Sequence, residues 1–306
     1  MSRLTSTNLT VDMTQNAQTT PTTPTAQTTP TAHDTQSTPP ITLVLGGTGK
    51  TGRRVAARLT AQGHAVRIGS RSADRPFVWE DPATWPAVLE GVAAAYVTYS
   101  PDLGFPGAAE TIDEFSRFAV AHGVRRLVLL SARGEERAHV SEDRLKASGA
   151  DWTIVRASWF HQNFSEDFFL EPVLAGELVL PTGEAVEPFV DADDIADVVT
   201  AVLTDPRHIG KTYELSGPRL LSFRDAAAEL SKATGRQIDY VPVTPDDFRA
   251  GLEAAGAPVE FADLLSLITD GRNAHLVTGV EEVLGRKPRD FADFAREAAA
   301  AGVWDV

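Results

Sequence analysis

The run Ile41-Thr42-Leu43-Val44-Leu45-Gly46-Gly47-Thr48-Gly49-Lys50-Thr51-Gly52 constrains the fold more than any other part of the chain. Five apolar or β-branched residues enter a turn with glycines at 46, 49 and 52, and Arg53 to Leu59 then reads as an amphipathic helix. A strand, a tight turn and a helix start are predicted in that order. Glycine suits such a turn because it tolerates positive φ, and because a side chain would hold a diphosphate away from the backbone. The new helix offers unbonded N–H groups and about half a positive charge at its start, so an anion is favoured there. Gly46, Gly47, Thr48, Gly49, Lys50, Thr51 and Gly52 are therefore the candidate cradle for the diphosphate of a dinucleotide. Two other readings compete. Gly49-Lys50-Thr51 matches the end of a P-loop, but that loop needs a glycine at position 44, where Val44 stands inside the strand. A merely structural glycine turn is the blander reading, and the strand–turn–helix setting favours the dinucleotide over it.

Ala65 to Gly69 forms the second strand, followed by Ser70-Arg71-Ser72-Ala73-Asp74-Arg75. In dinucleotide folds an Asp or Glu at this strand's end binds the ribose hydroxyls of NAD, whereas an Arg accommodates the extra phosphate of NADP. Arg71, with Arg75 and Arg53 nearby, predicts NADP(H) over NAD(H); the competing reading is a solvated surface arginine. Phe77-Val78-Trp79-Glu80 reads as a third strand ending at Asp81, which either accepts from the adenine amino group or caps the helix around Pro82 to Glu90. Val92 to Thr98 is a fourth strand, and Thr98-Tyr99-Ser100-Pro101 would lie at the carboxyl edge, where open α/β sheets bind ligands. Phe105, Ala108, Ile112, Phe115 and Ala119 recur at helical spacing, with the aromatics placed in the core. Arg126 to Ser131 is a fifth strand, buried on both faces, which leaves Ser131 and Ala132 opposite the expected nicotinamide. Glu135 to Ser148 is helical and Trp152 to Arg156 a sixth strand.

This alternation predicts an α/β fold, a Rossmann-type doubly wound parallel sheet. The aromatic-rich stretch Ala157 to Phe164 leaves that sheet beside the nicotinamide, so Trp159, Phe160 and Asn163 join Tyr99 as candidate pocket residues. Beyond residue 165 the pattern weakens into a smaller, lid-like α/β part, with Asp191 or Asp193 capping a helix. The expected division is a cofactor core over 41–160 and a substrate-side part over 161–306.

Residues 1–40 are dominated by Thr, Gln and Pro, with Leu4, Leu9 and Val11 nearly the only large apolar groups. Such a segment buries too little apolar surface to offset its ordering entropy, and it is expected to be disordered. It lacks the basic start and apolar core of a secretory signal. The chain has no cysteine, which excludes disulfides, thiolate metal sites and thiol nucleophiles; no metal site is expected. A formal charge of −14 argues against nucleic acid as a partner. No run is apolar and long enough for a membrane span, so a soluble cytoplasmic protein acting on a small molecule is expected.

Leu45 to Val55, Gly149-Ala150-Asp151-Trp152-Thr153-Ile154-Val155-Arg156, Trp159 to Phe164 and Pro188 to Ala196 resemble the NmrA-like, atypical short-chain dehydrogenase/reductase proteins. The nearest branch is that of the festuclavine-dehydrogenase-like ergot alkaloid reductases, with type 2 quinone oxidoreductases as relatives. The resemblance spans residues 41 to 305. It implies a Rossmann fold with an NADP(H) preference and leaves the substrate open, because the family holds both reductases and sensors.

One departure from the wider superfamily bears on chemistry. Most short-chain dehydrogenases use Tyr-x-x-x-Lys, in which the lysine lowers the tyrosine pKa so that it can protonate the nascent alkoxide. Here Tyr96, Tyr99, Tyr213 and Tyr240 are followed four residues on by Ser100, Leu103, Gly217 and Thr244. The expected reaction is therefore hydride transfer to an acceptor needing little proton help: a quinone, an iminium ion or an activated alkene. Ser131, Tyr99 and His139 are the candidate catalytic groups, with His161 a further candidate proton donor. The alternative is an NADP(H)-sensing protein that reports to a protein partner without turnover.

Overall fold

Alternate residues of the central strands feed two different cores, and this fixes the architecture. The computed structural model describes residues 40–257 and 259–306, with the side chain of Leu267 set aside; the expectation for the first forty residues lies outside these apart from Pro40. Six strands form one parallel sheet: β1 (Ile41–Leu45), β2 (Ala65–Gly69), β3 (Val92–Val97), β4 (Arg126–Ala132), β5 (Asp151–Ala157) and, after two short strands described below, β8 (Lys211–Leu215). Their spatial order is β2-β1-β3-β4-β5-β8. Leu43, Leu45, Leu127, Leu129 and Ile154 face one side and Val44, Val128 and Val155 the other, as the two-residue period of a strand requires. With both faces covered, the centre of β4, Leu127 to Leu129, is apolar and wholly buried, as expected for that strand.

The helices cover these faces. α1 (Lys50–Ala61) is followed by α2 (Trp85–Leu89), α3 (Ala108–Ala121) and α4 (Glu136–Lys146); α5 (Asn163–Glu166), α6 (Leu170–Ala175) and α7 (Ala192–Thr204) come before β8. Ile112, Phe115 and Ala119 of α3 pack with Ala138 and Leu145 of α4 on one face. Val55 and Leu59 of α1 pack with Ile195, Val198, Val199 and Val202 of α7 on the other. Asp191 caps α7 by accepting from the Asp193 amide at 2.8 Å, which settles the cap between the two residues proposed for it.

A third, aromatic core is drawn from residues after 160. Phe164, Phe189, Phe223 and Phe291 meet edge-on, with Phe164 5.6 Å from Phe189 and 5.3 Å from Phe291. Around it lie β6 (Glu177–Leu180), β7 (Val186–Glu187), β9 (Leu221–Ser222), α8 (Phe223–Thr234), β10 (Asp239–Pro242), α9 (Pro245–Ala254), α10 (Glu260–Thr269) and α12 (Phe291–Ala300), while α11 (Gly279–Leu284) packs through Val280 in the core that holds α7. β10 pairs with β6 and β7 with β9.

Two expectations need correction. Residues 77–80 form no strand: Phe77 and Trp79 are buried in the first core and stack edge-on at 4.7 Å, so the alternation is real, but the sheet ends at β2 and offers them no backbone partner there. The preceding segment, Ser70 to Phe77, is a loop closed at its base by the Ser70 carbonyl, which accepts the amides of Ala73 and Phe77 at 3.3 and 3.0 Å. Phe105 belongs to the turn before α3 and not to the buried face of that helix.

Candidate functional site

The strand order reverses direction between β1 and β3, since β2 follows β1 on one side and β3 lies on the other. Such a switch point opens a crevice at the carboxyl ends of the strands. The glycine turn fills that position. Gly46 adopts a φ of +61°, in the left-handed region, and its carbonyl accepts the Gly49 amide at 2.8 Å. A Cβ on Gly52 would overlap the Gly46 carbonyl, so α1 can begin only against a bare backbone. Gly49 is different: it is exposed, and a Cβ there would meet only the Gly46 oxygen, at 3.3 Å. No side chain caps α1, and its first turn holds no acidic residue. The first intrahelical bond in this turn runs from Arg53 to Gly49, at 3.1 Å, so the amides before it face outward without helical partners. Such a donor set suits an anion, and a diphosphate fits it.

Thr51 is buried and receives the Tyr96 hydroxyl at 3.0 Å, which ties the turn to β3. Burial pushes the Tyr96 phenol well above its ordinary value, and its proton is given to Thr51. Thr98 donates to the Leu45 carbonyl at 3.1 Å and braces the exit of β1. The other end of the site is more surprising. Lys50 reaches across 113 residues to Asn163 Oδ1 at 2.9 Å, pairs with Asp167, and lies 5.6 Å from the ring centres of both Phe160 and Phe168. Arg53 and Arg54 pair with Glu166 at 2.5 and 2.8 Å. Burial pushes the Glu166 carboxyl up, but these two guanidiniums outweigh it and hold it below its usual range. None of Glu166, Asp167 or Phe168 was singled out from the sequence, because nothing in local spacing marks a partner this distant.

Ser131 is buried, and its hydroxyl donates to Glu142 Oε1 at 2.7 Å. Glu142 of α4 is itself wholly buried and clamped by Arg156, through Nε at 2.8 Å and Nη2 at 2.7 Å. The Ser131 proton is thus committed to a structural network. His139 is half-buried on α4, and its Nε2 is buried without a hydrogen-bond partner among the described residues. His161 is wholly buried; its Nε2 donates to the Phe189 carbonyl at 2.9 Å and its Nδ1 lies 3.5 Å from Asp191, so it serves packing between segments.

The predicted pocket residues separate into groups. Tyr99 packs on Trp79, 5.2 Å between rings, and belongs with the first core. Trp159 stacks on Phe169 at 6.1 Å, beside the aromatic core. Phe160 and Asn163 gather around Lys50. Asp81 caps the short turn Pro82–Thr84, accepting from the Ala83 amide at 3.1 Å. Arg71 is exposed just past β2 and forms no ion pair with the described residues, whereas Arg75 is held at 2.7 Å by both the Ala87 carbonyl and Glu90. A cavity of about 260 Å³ opens beyond β3 and β4, between Phe105, Glu135 and Arg137 and the α10 residues Glu260, Asp263 and Leu264.

Residues 46–206 match the profile of an NAD(P)H-binding family, and residues 135–294 that of the NmrA-like family. The agroclavine dehydrogenase of Claviceps fusiformis is 32% identical over 279 residues, covering 83% of this chain and 96% of the relative. Among solved structures, the NADPH-dependent quinone oxidoreductase of Escherichia coli complexed with NADPH superposes with a TM-score of 0.67 at 22% identity, over 84% of this chain and 99% of that one. Nmra, a negative transcriptional regulator, gives 0.62 at 19% identity, over 87% of this chain and 97% of that one. At these identities the two structural likenesses are of fold alone.

Proposed function

The chain belongs to the NmrA-like family of NAD(P)H-binding proteins, and on that premise we propose that it is an NADP(H)-dependent oxidoreductase acting on a small electrophilic organic acceptor. A quinone, an iminium ion and an activated alkene are the acceptor classes in view. The observation that carries the reading is the uncapped start of α1 on a glycine turn at the switch point of the sheet. The amides that follow Gly49 hold the diphosphate, Thr98 and Thr51 brace the turn from below, and Arg71 takes the phosphate that distinguishes NADP. Residues 41–160 act as the coenzyme part and residues 161–306 as the substrate side.

When bound, the reduced coenzyme supplies a hydride. The protein's own share is to position, and to exclude water from, the reacting centre. No tyrosine stands on α4, the Tyr96 phenol is buried, and the Ser131 proton is held by Glu142. A reaction that draws its proton from solvent or a weak acid suits this arrangement better than ketone reduction. The test is a panel of quinones, cyclic iminium compounds and activated alkenes with NADPH, followed by loss of the dihydronicotinamide absorbance. Turnover with one class supports the proposal. Tight NADPH binding with no turnover across the panel would move the reading to a coenzyme-sensing regulator.

A further inference from the structure

Lys50 opens α1, Arg53 and Arg54 follow within the next four residues, and the first turn contains no acid. Three cations at the positive end of a helix dipole repel it, and each needs an anion from elsewhere. Glu166 answers Arg53 and Arg54, and Asp167 answers Lys50. The Lys50 side chain is about one-fifth exposed and that of Asp167 about one-third, so the pair sits at the mouth of the turn and not in the core. The Phe160 and Phe168 rings hold the ammonium near this place, and Asn163 completes its hydrogen bonding.

Building on the coenzyme reading, we infer that Asp167 is an internal stand-in for the coenzyme phosphate: it neutralises Lys50 until the diphosphate arrives, and the lysine then exchanges one anion for the other. Asp167 is a positioning residue that sets coenzyme affinity. A dianionic diphosphate lying along the glycine turn offers Lys50 more negative charge than one carboxylate, so the exchange runs forward on binding. It also leaves Asp167 without its cation, which opposes binding. Removing that carboxylate therefore strengthens binding, but only while Lys50 is present.

The experiment is a double-mutant cycle on the full chain, with NADPH dissociation constants read from dihydronicotinamide fluorescence. Lys50→Met is expected to weaken binding roughly 10- to 100-fold, the worth of a charge-assisted contact. Asp167→Asn is expected to tighten binding about two- to fivefold, matching a partly exposed ion pair. In the Lys50→Met background Asp167→Asn changes nothing, and Asp167→Glu keeps wild-type affinity. An Asp167→Asn protein that binds NADPH equally or more weakly overturns the inference. So does a gain that survives without Lys50, because simple charge repulsion would then explain it. A wild-type protein that binds neither NADPH nor NADH would sink the coenzyme reading itself, an outcome separate from either.

Discussion

Glu187 closes β7 wholly buried, with one oxygen 3.4 Å from the Trp159 amide and the other without a partner among the described residues. The cation that acts on it, Arg133, is engaged with Ser158 at 2.8 Å, with His275 at 3.0 Å and with Glu214 at 3.5 Å. Burial therefore dominates over the Trp159 hydrogen bond and the Arg133 charge, and raises this carboxyl from 4.5 to about 7. Below 4.5 the group is protonated in both folded and unfolded chains. Between 4.5 and about 7 only the unfolded chain releases its proton, so folding loses ground as pH rises; above that the deficit is complete. The interval spans about 2.5 pH units, or about 3 kcal/mol at about 1.4 kcal/mol each. Glu187→Gln keeps the size and removes the ionisation. Urea denaturation should find the two proteins within about 1 kcal/mol near pH 5 and the variant about 3 kcal/mol more stable near pH 8. An unchanged gap between the two pH values would refute the claim that this carboxyl is buried without a sufficient partner.

Two further outcomes follow from the coenzyme turn. Arg71→Asp should weaken NADPH by about 1.5–3 kcal/mol, one to two decades, while leaving NADH far less affected; equal losses for both coenzymes in a calorimetric titration would mean the extra phosphate sits elsewhere. Gly52→Ala places a methyl group on the Gly46 carbonyl, which can escape only by moving backbone. The expected cost is about 1–3 kcal/mol with loss of NADPH binding, and a variant with wild-type melting temperature and affinity would show the turn to be built differently.

The sheet was legible because the middles of its strands are short apolar runs and its helices are amphipathic, so alternation alone recovers β1 to β5. Residues 77–80 misled for a physical reason: Phe77 and Trp79 are buried and Glu80 exposed, as in a strand, but strand identity depends on a backbone neighbour that side-chain pattern does not encode. Asp81 had two readings, and its short contact with the Ala83 amide favours the local one. The glycine turn was legible because its geometry is local. The Lys50–Asp167 and Ser131–Glu142 contacts were not, since the first spans 117 residues and the second depends on how α4 folds back over β4. Charged side chains near a site carry no mark in sequence of which opposite charge they will meet.

The loop pinched shut at the Ser70 carbonyl hangs from the outermost strand, and the sheet ladder does not run through it. Its contents between Ser70 and Phe77, Arg71 included, are in effect an interchangeable cartridge: both ends are clamped by one acceptor, and the far flank is fastened by Arg75 to α2. A replacement of equal length could exchange one coenzyme preference for the other while leaving the hydrophobic layers untouched. If Arg71 meets the extra phosphate as proposed, selectivity is mounted at the rim, where it can change faster than the architecture beneath it.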